Sequence, residues 1–370
     1  MLVKNGTAFI GGHFTRADVR VENGKIAQIG DLQPREGEEI RSAAGLYVLP
    51  GLVDIHIHAY AGADCMRGEG DVRRMSEGLL KTGVAAFMPT TMSAPIEATN
   101  RALRAIQAVR DAPCEKGAAV LGAHMEAPFL CEKYKGAQLG ECLMNPSVEA
   151  YEAMTRGTDC VRMMTLAPEL PGALDMVAYL KARGVVTCAA HSNATAEEVH
   201  AAADRGLTQI THLFNAQSPL HHRKPGVPGA GLADERIIVQ AIADGLHLHP
   251  DTLRIAALCK GAKGMALISD SMEAAGMPDG QYDLGGQAVF VQNGEARLAD
   301  GVIAGSTLVL HRAIHNMITL AKMPPETVIP MATSTPADSV GAKGYGRIEP
   351  GACGVLTLMD AGWNLAGVTA

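Results

Sequence analysis

The chain has 370 residues, 47% of them hydrophobic but only 4% aromatic, with 41 glycines, a make-up that suits a large aliphatic core with many tight turns and excludes a disordered or fibrous protein. Its 32 Lys and Arg against 39 Asp and Glu give a net charge of −7, so no basic footprint favours nucleic acid or an anionic membrane, and any anionic ligand must be held by local cations. Eight scattered cysteines without a Cys-x-x-Cys pair, a first segment with no basic-then-apolar leader, and no apolar stretch near about 18 residues point to a soluble, cytoplasmic protein.

Residues 1–48 read as short strands and turns of a small β domain. The segment Val19-Arg20-Val21-Glu22-Asn23-Gly24-Lys25-Ile26 sets an Asn-Gly pair between alternating stretches, the pattern of a tight hairpin. From Leu52 onward, aliphatic runs alternate with amphipathic stretches rich in Ala, Leu, Glu and Arg, as βα units of a parallel sheet do. The runs number about eight, as a closed (β/α)8 TIM-like barrel requires. They are Leu52–His58, Val84–Thr90, Ala119–Glu126, Val161–Pro168, Val185–His191, Gln209–Asn215, Ile237–His247 and Met265–Asp270. An open doubly wound sheet alternates in the same way, so the count favours the barrel without deciding it. Helices are predicted at Ile96–Arg110 and at Thr195–Gly206, where Thr195 and Glu198 form a capping box and Gly206 sits at the stop.

After the eighth run, Gln287–Arg297 with its Asn293-Gly294 pair reads as a β excursion, and Thr307–Ala321 and Glu326–Val340 read as helices. The end of the chain, Gly346–Gly351 and then Val355–Met359, returns to strand character and is predicted to pair with the N-terminal strands. The expected organisation is a barrel over residues 49–342 and one small β-sandwich domain built from residues 1–48 and 343–370.

In His56-Ile57-His58 the two imidazoles stand two apart on a strand and project from one face, as joint coordination of a metal needs. A lone His-x-His is more often an ordinary pair. Here, however, Glu126, His191, His212 and Asp270 also fall at or near the ends of later runs, and in barrels the C-terminal strand ends share one mouth. Buried imidazoles and carboxylates without partners would be costly there, and a metal supplies the compensation. The spacing suggests His56, His58 and Asp270 around one ion, His191 and His212 around a second, and Glu126 between them. Asp270 is then placed to take a proton from water and return it to a leaving amine. No serine or cysteine stands in a nucleophile motif. Mixed imidazole and carboxylate ligands suit zinc, iron, manganese or cobalt. The loop Ser218-Pro219-Leu220-His221-His222-Arg223-Lys224-Pro225-Gly226 reads equally as a phosphate clamp or a solvated basic loop, and His247 closes the seventh run.

Six stretches together resemble the N-acetylglucosamine-6-phosphate deacetylases of the amidohydrolase superfamily: Pro50–His58, Gly122–Phe129, Ala190-His191-Ser192, Thr211–Ala216, Ala243–His247 and Ser269–Met272. Ala304-Gly305-Ser306 and Ala332–Ala337 extend the likeness over nearly the whole chain. The resemblance implies a barrel hydrolase with metal ligands at Glu126, His191 and His212, a second ion at His56 and His58, and Asp270 as acid/base. It implies substrate contacts at Ala137, Asn215, Ala216, Arg223, His247 and Ile303, and a homodimer in which the Arg223 loop reaches the neighbouring site. The implied reaction is deacetylation of N-acetylglucosamine 6-phosphate, with the galacto epimer as the competing substrate.

Departures are Glu126-Ala127-Pro128 for Glu-Gly-Pro, Gln138 where the family often has His, Ser269-Asp270-Ser271 for Thr-Asp-Ala, and an early stop before the last family hairpin normally finishes. A cyclic-amide hydrolase of the dihydroorotase kind would use a bridging lysine after the fourth strand, where this chain has Leu166-Ala167-Pro168-Glu169. A silent sugar-phosphate sensor would have lost a ligand, and none is lost.

Overall fold

The computed structural model describes residues 1–370 and places eight parallel strands in chain order: β1 (Leu52–Ile57), β2 (Val84–Thr91), β3 (Ala123–Met125), β4 (Val161–Leu166), β5 (Val186–Ala189), β6 (Gln209–Ile210), β7 (Ile238–Ile242) and β8 (Met265–Ile268). Each strand is hydrogen-bonded to the next, from β1·β2 through β7·β8. The ring closes between its ends at the C-terminal mouth, where the Asp270 N–H donates to the His56 carbonyl at 2.9 Å. Helices cover the outside and side chains fill the inside, so β1 and β2 are buried along their whole length. This explains why they read as unbroken aliphatic runs.

Both chain ends build the small domain. A four-stranded sheet runs Lys25–Gly30, Asp18–Glu22, Leu2–Lys4, Ile40–Ser42, and a five-stranded sheet runs Leu365–Thr369, Leu356–Met359, Tyr47–Pro50, Thr7–Ile10, His13–Arg16. The strand Leu356–Met359 pairs antiparallel with Tyr47–Pro50, placing Leu356 opposite Pro50. Val3, Val19, Val21 and Ile26 of one sheet pack on Ala8, Val48, Leu356 and Leu358 of the other, which makes the domain a sandwich. The expected hairpin is present, with Asn23 and Gly24 at φ 50° and 70° between the paired Glu22 and Lys25.

Three expectations need correction. The third run is two strands, Ala119–Val120 and β3, because Gly122 breaks it at φ 142°. A Cβ there would lie 2.5 Å from the Cys160 carbonyl oxygen. The sixth run stops being strand at Ile210, because His212, Phe214 and Ala216 all take positive φ and curl the backbone around the mouth. The stretch Glu326–Val340 is not one helix but two, Pro325–Met331 and Ser334–Ser339. The break frees the Ala332 carbonyl to accept from the Val53 N–H of β1 at 2.9 Å.

The capping box at Thr195 and Glu198 and the stop at Gly206 are as expected. The β excursion is an antiparallel sheet of Gly280–Leu284, Gln287–Gln292 and Glu295–Leu298. Its Leu284, Val289, Val291 and Ala296 pack on Met92 and Met272, which sets it over the barrel mouth. No helix is long and apolar enough to cross a membrane.

Candidate active site and metal centre

The alternation of a strand carries His56 and His58 out of β1 on one face, and their Nε2 atoms lie 3.3 Å apart. Asp270, just beyond β8, sets its Oδ1 3.3 Å from His56 Nε2 and 3.1 Å from His58 Nε2. Glu126, just beyond β3, reaches both halves of the cluster. Its Oε2 lies 3.3 Å from His58 Nε2, while Oε1 lies 2.9 Å from His212 Nε2, 3.3 Å from His191 Nε2 and 3.5 Å from His56 Nε2. His191 and His212 have their Nε2 atoms 3.1 Å apart. All six residues proposed from the sequence as ligands meet at one point.

Three of those residues stand on left-handed backbone: His191 at φ 46°, His212 at 32° and Asp270 at 49°. Such conformations cost on the order of 1–3 kcal/mol each and persist only where surrounding contacts hold them. For Asp270 the holding contacts are visible. Its N–H is bound by His56, its carbonyl accepts from the Ser306 N–H at 2.8 Å, and Ser306 Oγ donates to the Ser269 carbonyl at 2.6 Å. The segment Ala304-Gly305-Ser306 therefore positions the carboxylate.

The Nδ1 atoms of His58, His191 and His212 face the backbone carbonyls of Thr90, Tyr134 and Asn215 at 2.9, 2.9 and 3.1 Å. Nδ1 must carry a proton in each, so Nε2 is the atom each ring leaves for the cluster. His56 Nδ1 faces Gln240 Oε1 at 3.4 Å. Burial alone would neutralise Glu126 and Asp270. The imidazoles outweigh it, chiefly His56 acting on each through its charge, and hold both carboxyls well below the usual carboxylate range. Burial likewise disfavours a charged His58, yet hydrogen bonds to Asp270 and Glu126 raise its pKa well above normal. Two anions that draw a proton this strongly onto His58 would attract a cation in the same place. The donors form two groups that share Glu126, His56-His58-Glu126 and Glu126-His191-His212, with the atoms of each within 4.8 Å of one another. Buried imidazole nitrogens and carboxylate oxygens in this arrangement fit divalent metal.

His124 is also buried in the barrel but belongs to neither group. Its ring meets His56 edge-on with centroids 4.7 Å apart, and its Nε2 lies 2.8 Å from Thr165 Oγ1, itself 2.9 Å from Thr211 Oγ1. Burial, and then the charge of His56, push its pKa well down, so it packs beneath the cluster as a neutral ring.

Above the cluster opens a cavity of about 580 Å³, a size ordinary for a small-molecule site. Ala137, Asn215, Ala216, His247 and Ile303 line it, as does Gln138. His247 Nδ1 lies 2.6 Å from Asp244 Oδ2. Burial works against its charge, but this bond outweighs burial and raises its pKa, while Asp244 is held low. His247 thus offers the cavity a cationic edge. Arg223 does not reach it. That side chain sets its Nη1 2.7 Å from His222 Nε2 and lines a neighbouring hollow that shares Lys133 and Tyr134 with the cavity.

Sequence reasoning passed over Lys135, which lines the cavity, donates to the Gln138 carbonyl at 3.3 Å and has no carboxylate within 4.0 Å. The available signal was a Gly-containing loop with two lysines following the Glu126 strand. Glu169, at the place where a bridging lysine would be sought, is engaged instead with Ser192 Oγ at 2.7 Å.

Imidazoles and carboxylates gathered at the C-terminal mouth of an eight-stranded barrel define a class of metal-assisted hydrolases. The chain belongs to the amidohydrolase family, whose pattern matches residues 47–368. It is 36% identical over 347 residues to N-acetylglucosamine-6-phosphate deacetylase of Vibrio furnissii, spanning 93% of this chain and 86% of that one. It is also 36% identical over 352 residues to N-acetylgalactosamine-6-phosphate deacetylase of Escherichia coli O157:H7, spanning 94% and 91%. Among solved structures it resembles N-acetylglucosamine-6-phosphate deacetylase of Thermotoga maritima, with TM-score 0.89, 31% identity and 100% and 98% of the two chains covered. An aspartate-to-alanine variant of the Mycobacterium smegmatis enzyme, in complex with N-acetyl-D-glucosamine-6-phosphate, matches with TM-score 0.92, 28% identity and 100% and 97% coverage.

Proposed function

We propose that this protein hydrolyses N-acetylglucosamine 6-phosphate to glucosamine 6-phosphate and acetate, as a cytoplasmic homodimer using two divalent cations, with zinc, iron, manganese and cobalt as the candidates. The observation that carries the proposal is the meeting of His56, His58, Glu126, His191, His212 and Asp270 beneath a cavity of small-molecule size. His56, His58 and Asp270 would hold one ion, His191 and His212 the other, with Glu126 shared. Divalent cations bound there supply Lewis acidity, polarising an amide carbonyl and lowering the pKa of water.

The remaining chemistry falls to the chain. Asp270, ionised and facing the cavity, accepts a proton from water as the water oxygen bonds to the acetyl carbon. As the carbon–nitrogen bond breaks, Asp270 returns that proton to the departing amine. His247 and Lys135 are the cations available to the phosphate within one chain, and Ala137, Asn215, Ala216 and Ile303 shape the walls. Arg223 lies outside this cavity, so its contact with substrate would be made in a neighbouring subunit. The eight cysteines are all unpaired, in keeping with a reducing compartment.

Equal identity to a gluco and a galacto enzyme favours a second reading, deacetylation of the galactosamine epimer. Acetate release measured on both 6-phosphates decides between them. The gluco reading expects the higher kcat/KM on N-acetylglucosamine 6-phosphate, and no acetate from either substrate in the metal-loaded protein would reject both.

A further inference from the structure

Gln138 stands where the resembling family often has histidine, and the structure gives its amide a single possible orientation. The backbone N–H of Ser93 points at one amide atom at 2.7 Å, and an N–H can only meet an oxygen, so that atom is Oε1. The NH2 group therefore faces Glu126 Oε2 at 2.8 Å. Its second hydrogen turns toward Met92 Sδ at 3.7 Å. Ser93 also accepts from the Leu139 N–H through its hydroxyl, so the loop after β2 grips the Gln138 segment twice. Gln138 is 2% exposed. Although it borders the cavity, its amide is committed to protein partners and offers a substrate little.

Glu126 is asymmetric as a result. Its Oε1 faces His191, His212 and His56, whereas Oε2 has only His58 at 3.3 Å and the Gln138 amide. The carboxylate can present Oε2 to the His56–His58 side only if its plane is held, and of the two partners of that oxygen Gln138, at 2.8 Å, is the closer and the one that is not itself a candidate metal ligand. We infer that Gln138 is a positioning residue for the cation on the His56–His58 side, acting through Glu126 Oε2, and not a substrate-binding residue. Hydrogen bonds of this kind to metal-ligating carboxylates typically change metal affinity about 10–100-fold. The inference rests on the two-cation reading above, but its test does not depend on turnover.

The experiment is a chelator-competition titration of metal-free wild type, Gln138→Leu and Gln138→His with zinc alone, read as the number and strength of binding equivalents. Thermal unfolding of the metal-free proteins serves as a folding control. Wild type is expected to bind two equivalents. Gln138→Leu should weaken one of them about 10–100-fold and leave the other unchanged, and Gln138→His, which keeps a donor, should restore most of the loss. Equal weakening of both equivalents, or two unaltered equivalents in Gln138→Leu, overturns the inference. So does a failure of Gln138→His to recover affinity when both variants are folded. A single equivalent in wild type removes the second cation from the proposed function and this role with it. If Gln138 instead touched the substrate, Gln138→Leu would raise KM with zinc binding intact, and that result also overturns the inference.

Discussion

Replacing Asp270 with asparagine removes a proton acceptor and one negative charge while leaving almost everything else in place. The residue sits at φ 49°, a left-handed conformation that asparagine tolerates better than nearly any other side chain except glycine. Its backbone is anchored by the His56 carbonyl and the Ser306 N–H, neither of which involves the carboxylate. The fold should therefore survive, and the loss of rate should report chemistry. Removing a general acid/base lowers rates by about 10²–10⁴, or about 2.7–5.4 kcal/mol at about 1.36 kcal/mol per factor of ten. Asp270 Oδ1 also approaches both His56 and His58, so the variant gives up an anion that helps hold a cation there. We expect kcat for acetate release to fall by about 10³ or more, with the variant still folded by circular dichroism but melting lower without metal, because the buried Asp270–His58 contact is lost. Assays run at saturating substrate and several metal concentrations separate the lost base from weakened metal binding. More than a tenth of wild-type kcat in a folded, metal-loaded Asp270→Asn protein would refute the proton-transfer role.

Two further outcomes test other parts of the structure. His247→Gln should raise KM for the 6-phosphate substrate about 10–100-fold, as loss of a charged hydrogen bond worth about 1.5–3 kcal/mol implies, with a smaller effect on kcat. Because the folded pKa of His247 is raised, its imidazolium is fully present below the ordinary histidine value and is lost as pH rises through the raised one. Wild-type KM should climb over that alkaline window and the His247→Gln profile should lack that step; parallel profiles would remove His247 from phosphate binding. Gly122→Ala forces a Cβ to within 2.5 Å of the Cys160 carbonyl oxygen at φ 142°, and should lower stability by about 1–3 kcal/mol in urea unfolding. An unchanged urea midpoint would show that the break between Val120 and Ala123 relaxes without cost.

Local rules read from the sequence settled a good deal of this protein. A period of two put His56 and His58 on one face, Asn23-Gly24 made a hairpin, Thr195 with Glu198 capped a helix, and aliphatic runs alternating with amphipathic ones gave the βα order. Each of these depends on forces that act within a few residues. What the sequence left open is non-local. The meeting of His191, His212 and Asp270 depends on left-handed backbone at each, a conformation that propensity argues against and that contacts such as Ser306 to Asp270 impose. The Glu326–Val340 stretch breaks where Pro336, lacking an N–H, leaves the Ala332 carbonyl unbonded, but that β1 takes up this carbonyl is a tertiary fact, and Gln138 turned to Glu126 because Ser93, 45 positions away, fixed its amide. Arg223 lines a separate hollow that shares only Lys133 and Tyr134 with the cavity. Such partners are chosen by which distant segments closure of the barrel brings together, and no pattern within a short window encodes that choice.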